Sequence, residues 1–247
     1  MNLFVSKNLS IKTMLFICIL SLTVSCKKKE DVVPVIPETG TMVDIDSNIY
    51  KTVKIGNQWW MAENLKVTRY RSGVFITELK DSGDWVSQIN GGRCEYSDPN
   101  LEAPGFLYNW FAISNADIIA PEGWHIPTDD EWKELEKTLG MTQAEADKLT
   151  WRGTDQGDKL KSNDQSEWTS FENIFSTNKS GFTALGGSCR VYNSSWGDPG
   201  LKSTGFWWTA TTNGDNAWYR YLDYKSSKVF RSHADKHYGF SIRCVKD

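Results

Sequence analysis

The clearest periodic stretch is residues 121–140, PEGWHIPTDDEWKELEKTLG. Trp132, Leu135 and Leu139 recur at i, i+3 and i+7, one face of a 3.6-residue repeat, with charged residues between them. Thr128 and Glu131 have capping-box spacing, and Asp129, Asp130 and Glu131 place negative charge where the helix dipole favours it. Gly140 supplies the stop. The pattern predicts an amphipathic helix that must bury one face. A short extended arm leads into it, with Trp124 and Ile126 alternating with His125 and Pro127 fixing the approach. A second capping box, Thr142 with Glu145, predicts a shorter helix that carries Ala146 and Leu149 on one face and ends near Leu149.

Elsewhere the texture is β-like. Residues 42–45 and 49–55 read as strands broken by Asp46-Ser47-Asn48, and Gly56-Asn57 turns the chain into Gln58-Trp59-Trp60-Met61. Residues 73–90 read as irregular strand, 91–104 as loop, 106–112 (FLYNWFA) as a short helix, and 151–175 as mostly loop. From Gly181 five short segments follow: GFTALGGSCR, STGFWWTATT, AWYRYLDY, SSKVFRSH and YGFSIRCVKD. They are rich in aromatic or β-branched residues and are separated by turn signals such as Asn213-Gly214 and Asp198-Pro199-Gly200, which predicts an antiparallel sheet. Within it Trp218, Arg220 and Leu222 alternate with Tyr219, Tyr221 and Asp223. Phe240, Ile242 and Cys244 alternate with Ser241, Arg243 and Val245. The expected class is α+β, with helices in the first two thirds, a twisted sheet dominating the last third, and long loops.

The length, 247 residues, suits one sizeable core. A net charge of −3 and the lack of a basic stripe outside the extreme N-terminus argue against nucleic acid as a partner. The N-terminus reads as an address. Lys7 and Lys12 precede an apolar run, residues 14–22, that is short for a span, and the run ends in Leu22-Thr23-Val24-Ser25-Cys26. This resembles a bacterial lipoprotein signal cleaved before Cys26, whose acyl chains would anchor the protein stably in a membrane. Lys29, Glu30 and Asp31 resemble the surface-export signal of Bacteroidetes lipoproteins. Residues 32–40, VVPVIPETG, form a tether. The expected organisation is a signal peptide (1–25), a lipidated tether (26–40) and a single domain (41–247), held at the outer membrane and facing the cell exterior.

Seven ordered blocks carry a family resemblance: residues 57–66 (NQWWMAENLK), 105–112, 121–135, 182–190, 206–212, 217–222 and 238–247. Together they resemble the Fibrobacter succinogenes major paralogous domain, over residues 42–247. That family is similar to the C-type-lectin-like fold, which also contains the formylglycine-generating enzymes. The resemblance implies two main helices packed on a small twisted antiparallel sheet with long loops, and no settled activity. Members often carry Cys just before the Pro-x-Gly-Trp-His element, where this chain has Ala120. Beyond Cys26 the cysteines are Cys94, Cys189 and Cys244, an odd number. Three single pairings are open; Cys189 with Cys244 is favoured, because both lie in sheet-like C-terminal segments.

Candidate chemistry is sparse. His233 and His237 are spaced like a helical metal pair, but they sit in the loop-like HADKHYG with no third ligand, so no metal site is assigned. His125 reads as a hydrogen-bonding residue rather than a general base. A structural calcium ion could draw on Asn213, Asp215 and Asn216, yet the sugar-binding triplets of calcium-dependent lectins are missing and Asp98-Pro99-Asn100 is only a faint echo. No cofactor is assigned. Cys189 and Cys244 read as a staple rather than a reactive pair, and no nucleophile, zinc or phosphate-loop motif occurs. Glycoside hydrolysis by paired carboxylates stays open as a minor alternative.

The positive signal is aromatic: the chain has twelve Trp and nine Tyr. Neighbours on a strand face opposite sides, so Trp207, Trp208 and residues 218–221 cannot all point inward. The expected ligand face is Trp207, Asn213, Asp215, Trp218, Tyr219, Tyr221, Tyr224, Arg231 and His233. The sequence therefore predicts a non-enzymatic cell-surface lipoprotein that binds a glycan or a surface protein. The rival is an assembly subunit of a surface layer or appendage.

Overall fold

The computed structural model describes residues 37–96, 105–192 and 201–247. The signal segment, Cys26 and the rest of residues 27–36 lie outside the described residues, as do Asp98-Pro99-Asn100 and Asp198-Pro199-Gly200.

The chain begins with the predicted meander, β1 (Thr39–Val43), β2 (Ile49–Ile55) and β3 (Gln58–Met61). Its first break is a side-chain-closed turn: Asp44 accepts from the backbone N–H groups of Asp46 and Asn48, both at 2.9 Å. Next come β4 (Thr77–Glu78), α1 (Ser82–Ser87), β5 (Gly92–Cys94), β6 (Leu107–Tyr108) and α2 (Trp110–Ile113). The pattern reads irregular strand where α1 lies. That helix buries only Trp85 and is too short for its period to show. Residues 106–112 divide into strand and helix because the Asn109 side chain caps α2, accepting from Ala112 N–H at 3.2 Å.

The middle of the chain holds β7 (Trp124–His125), α3 (Asp129–Thr138), α4 (Gln143–Ala146), β8 (Thr150–Arg152) and α5 (Gln156–Leu160). Both capping boxes form. Thr128 Oγ1 accepts from Glu131 N–H at 3.2 Å while Glu131 accepts from Thr128 N–H at 2.7 Å, and Thr142 and Glu145 repeat this at 3.2 and 2.8 Å. The second box starts only one turn. Leu149 is exposed, and Thr150 takes a positive φ of 63° that no helix tolerates. The C-terminal part supplies β9 (Thr204–Asn213), β10 (Asn216–Asp223), β11 (Val229–Asp235) and β12 (Val245–Lys246).

The strands form a five-stranded sheet, β1-β2-β3-β12-β7, a four-stranded sheet, β8-β11-β10-β9, and a three-stranded sheet, β4-β5-β6. This corrects the α+β, C-type-lectin-like expectation. Strand dominates, and among the described residues only α3, with 10 residues, exceeds two helical turns, so there is no pair of main helices on one small sheet. The C-terminal sheet also differs from the pattern. Residues 181–190 form no named strand, and β12 leaves its neighbours to lie between β3 and β7. On the way, residues 240–245 are buried throughout and stitch the sheets together. Phe240 N–H donates to Tyr108 O, Ser241 N–H to Phe206 O, and Leu65 N–H to Ile242 O.

Helix α3 closes the core. Trp132 and Leu135 are buried against Trp60, Phe182 and Trp207, each such side chain contributing about 1.5–3 kcal/mol. The rings meet edge to face: Trp60–Trp132 at 4.9 Å and Trp132–Phe182 at 5.6 Å. Arg243, fully buried, lies 4.2 Å over Phe182 and donates to Asn64 Oδ1 at 2.8 Å and Thr183 O at 2.9 Å, and also to Phe182 O. Burial pushes its pKa down to about 9. Gly157 lets α5 approach β11: an added Cβ would stand 2.5 Å from Lys228 O.

The predicted Cys189–Cys244 disulfide is not formed. Cys244 is buried with Met61, Tyr108 and Trp124, whereas Cys189 is buried in a separate cluster with Trp110, Trp208 and Phe240. Neither cysteine lies in a named strand, and the two are packed in different clusters. Burial raises the Cys244 thiol far above its usual range and pushes Cys94 up to about 11 despite Arg190 beside it.

Two outcomes follow. Cys244 in the folded chain should be inert to Ellman's reagent and become reactive in guanidinium, and a non-reducing peptide map should contain no Cys189–Cys244 linkage. Glu136 accepts from both Arg152 and Arg220 in the interior, so Glu136→Gln should cost about 3–5 kcal/mol in denaturant unfolding. A loss below 1 kcal/mol would mean that these guanidinium groups do not depend on Glu136.

Candidate functional site

The four-stranded sheet has two unlike faces. The inner face meets α3 with charge. Arg220 donates to Asp129 Oδ1 and Glu136 Oε1, each at 2.7 Å. Arg231 donates to Asp129 Oδ2 at 2.6 Å, and Arg152 grips both oxygens of Glu136 at 2.5 and 2.7 Å. These five side chains are buried. Burial alone would raise the Asp129 carboxyl, but the hydrogen bonds and charges of Arg231 and Arg220 outweigh it and hold the group well below the carboxylate range.

The outer face is aromatic. Register sets Tyr221 opposite Phe206 and Phe230, Phe230 opposite Trp151, and Tyr219 opposite Trp208. A continuous line of rings results. Trp151 lies 5.2 Å from Tyr221, Tyr221 stacks on Phe206 at 4.6 Å, and Phe206 stacks on Phe240 at 5.1 Å. The line continues from Phe240 to Tyr238 at 5.6 Å and on to Tyr192 at 6.0 Å. Its two ends are open, with Trp151 37% and Tyr192 51% exposed. Tyr221 is held by donating to Asp223, and burial pushes the Tyr219 phenol up to about 12. The rings are therefore preset before any ligand arrives, which lowers the entropy lost on binding. A cavity of about 380 Å³ opens beside Tyr219, Tyr238 and His233.

Of the nine expected ligand residues, the outer face gathers Tyr219 and Tyr221; His233 borders the cavity but has the strand parity of Arg231 and packs on Trp218 at 5.5 Å, its Nδ1 accepting from the Asn216 amide at 3.0 Å. Trp207 is a correction: it points inward, 1% exposed, donating to Asn64 at 2.9 Å. Arg231 is a second, since the Asp129 pair buries it and Trp218 covers it at 3.8 Å. Trp218 therefore shields the inner ion cluster. Asn213 and Asp215 lie exposed around the β9–β10 turn, where Asn213 pairs with Asn216, so Tyr221 sits about 17 Å further along the strand. Tyr224 packs on Phe171 at 5.7 Å, outside the ring line.

Sequence reasoning missed Trp151, Phe206, Phe230, Tyr238 and Tyr192. Strand parity could have found Phe206, because alternation puts it with Trp208 and opposite Trp207. Trp151 carried no such signal: β8 has only three residues inside a polar stretch.

The histidines are otherwise committed. His237 Nδ1 bonds Asp235 at 2.8 Å, and its ring meets Phe111 at 4.8 Å. His125 bridges two carboxylates, with Nδ1 on Asp247 at 2.8 Å and Nε2 on Glu131 at 2.7 Å. It ties the last strand to the start of α3.

The fold and this face define a β-rich scaffold with a line of fixed aromatic rings that reaches the surface at Trp151 and Tyr192. The chain belongs to the Fibrobacter succinogenes major domain family, which residues 53–246 match. The match begins within β2 and ends within β12, so it takes in strands of all three sheets. Comparisons with curated proteins and with solved structures found no match.

Burial works against protonating His125, but the hydrogen bonds to Asp247 and Glu131 outweigh it and raise its pKa above 6.5. A raised folded pKa stabilises fully below the unfolded value, and that contribution is lost as pH rises through the folded value. Thermal stability should therefore decline from about pH 6.5 upward, and His125→Asn should remove that slope. Glu131, with a lowered pKa, acts only in the acid range, so the two effects separate. An identical slope in His125→Asn would refute the assignment.

Proposed function

We propose that this domain is a non-enzymatic recognition module, displayed on the cell exterior by a lipid on Cys26, that binds a glycan or a surface protein with the outer face of its four-stranded sheet. The observation that carries the reading is the ring line from Trp151 to Tyr192. Its rings are in mutual contact throughout; the ends at Trp151 and Tyr192 are exposed, while Phe240 in the middle is buried and anchors them. Flat, preset rings offer a large contact at small entropic cost, for sugar faces as for protein side chains. The reading as a binder rather than a catalyst rests on how the nearby ionisable groups are used. Asp129, Glu136, Arg220 and Arg231 hold the inner face, Asp223 holds Tyr221, and Asp235 holds His237. No calcium is needed for this mode of contact.

The assembly reading draws on β1. It is an edge of the five-stranded sheet, with Thr39, Gly40, Thr41 and Val43 exposed, and such an edge can accept another strand.

The test is a glycan array and an envelope-protein pull-down with the soluble chain lacking residues 1–26, each with calcium and with chelator. Trp151 sits on the edge strand β8, where truncation should leave the fold intact. Trp151→Ala should weaken saturable binding about tenfold, a cost of about 1.4 kcal/mol, with unchanged thermal unfolding. Binding that ignores this substitution, or no ligand in either screen, would remove the recognition reading. Dimers that dissociate when Thr41 is replaced by proline would favour assembly instead.

A further inference from the structure

The ring line is flat only at its centre, where Phe206 is inclined 16° to Tyr221 and 15° to Phe240, while Trp151 tilts 47° to Tyr221. At the other end successive rings tilt, by 48° between Tyr219 and Phe240, 47° between Phe240 and Tyr238, and 43° between Tyr238 and Tyr192. These rings and Phe206 line the cavity of about 380 Å³. The non-aromatic polar residues of that lining are Cys189, Asn216, His233 and Asp235. Asp235 Oδ1 is taken by the N–H and Nδ1 of His237, both at 2.8 Å, while its side chain stays 53% exposed. Among the described residues the lining includes one carboxylate and neither lysine nor arginine.

Ring faces carry negative charge, and several of them around one space attract a cation, with about 0.5–2 kcal/mol per contact depending on desolvation. A carboxylate at the rim adds to the same field. A neutral sugar can hydrogen-bond the carboxylate but gains nothing from its charge, and an anion is repelled by the carboxylate and the ring faces alike. We infer that this cavity is a subsite for an alkylammonium group, quaternary or tertiary, on the ligand of the recognition face. The inference deepens the recognition reading and rests on it for the claim that this sheet meets a ligand at all. Two sources share the chemistry: a small solute such as choline, and the headgroup of a phosphocholine lipid.

The experiment pairs choline with 3,3-dimethylbutan-1-ol, which has nearly the same shape without the charge. Each is titrated into the soluble chain lacking residues 1–26, read by tyrosine side-chain NMR shifts. Choline should saturate with shifts at Tyr219 and Tyr238, and the neutral isostere should bind at least about tenfold more weakly. Tyr238→Leu should abolish the choline shifts. Tyr192→Leu, at the exposed rim, keeps the test informative if the first variant fails to fold. Asp235→Asn should weaken choline and reduce the salt dependence of its binding.

Phosphocholine and phosphoglycerol vesicles then separate the sources. Choline-competed retention on the first alone identifies a headgroup, and choline binding without retention identifies a solute; either supports the subsite. Equal binding of the neutral isostere, or no response to choline and no vesicle retention, overturns it. Glycan binding that still falls with Trp151→Ala while choline fails would leave the recognition face standing without the cage. Choline binding with no glycan or protein ligand would do the reverse.

Discussion

The grip of Arg220 on Asp129 and Glu136 is the interaction on which the rest of the structure depends. Arg220 points inward from the middle of β10, and parity then forces Tyr219 and Tyr221 outward. A slip of one residue would drive a tyrosine into the carboxylates and expose a guanidinium, so the network admits one register. Arg152 and Arg231 extend the grip to β8 and β11, making one side of the sheet a polar seam with α3. Such a seam gains little net stability over an apolar one, because desolvation offsets much of the attraction. What it provides is definition, and the outer rings inherit it.

The legible parts of the sequence were those governed by neighbours in the chain. Thr128 and Glu131 announced α3, Asn213-Gly214 announced the β9–β10 turn, and the parity of β10 could be read from residues 218–223. The site was legible only in outline. Tyr219 and Tyr221 were read onto the face where they lie, but Trp207 and Arg231 were taken for surface groups. Their burial is decided by Asn64 and Asp129, which lie 143 and 102 positions away. No local period reports such distances. Trp151 failed for the opposite reason: a three-residue edge strand is too brief to show alternation. The lectin-like expectation came from the resemblance and fails on the architecture: three sheets and, among the described residues, one helix longer than two turns, with α4 ending at Ala146 rather than near Leu149.

Arg243 is the counterpart of Arg220 in the other layer. It is buried without a carboxylate in its hydrogen-bond shell and is held by Asn64 Oδ1, the carbonyls of residues 182 and 183, and the faces of Phe182 and Trp207. Its charge is spread over dipoles rather than matched by a countercharge. Cys244, the next residue, turns the other way into an apolar cluster with Met61, Tyr108 and Trp124.

The buried run 240–245 sets the order in which this domain can become itself. It lies between strands made far earlier, and Asn64 waits for an arginine 179 positions downstream. Until that run arrives, β3 lacks its neighbour β12, Tyr108 lacks Phe240, and Phe206 lacks the ring stacked on it. Contacts of such span close slowly, since loop entropy must be met before they contribute. A nascent chain therefore stays open until almost all of it has been made. The same late segment that completes the core thus keeps the earlier strands from settling before their partners exist.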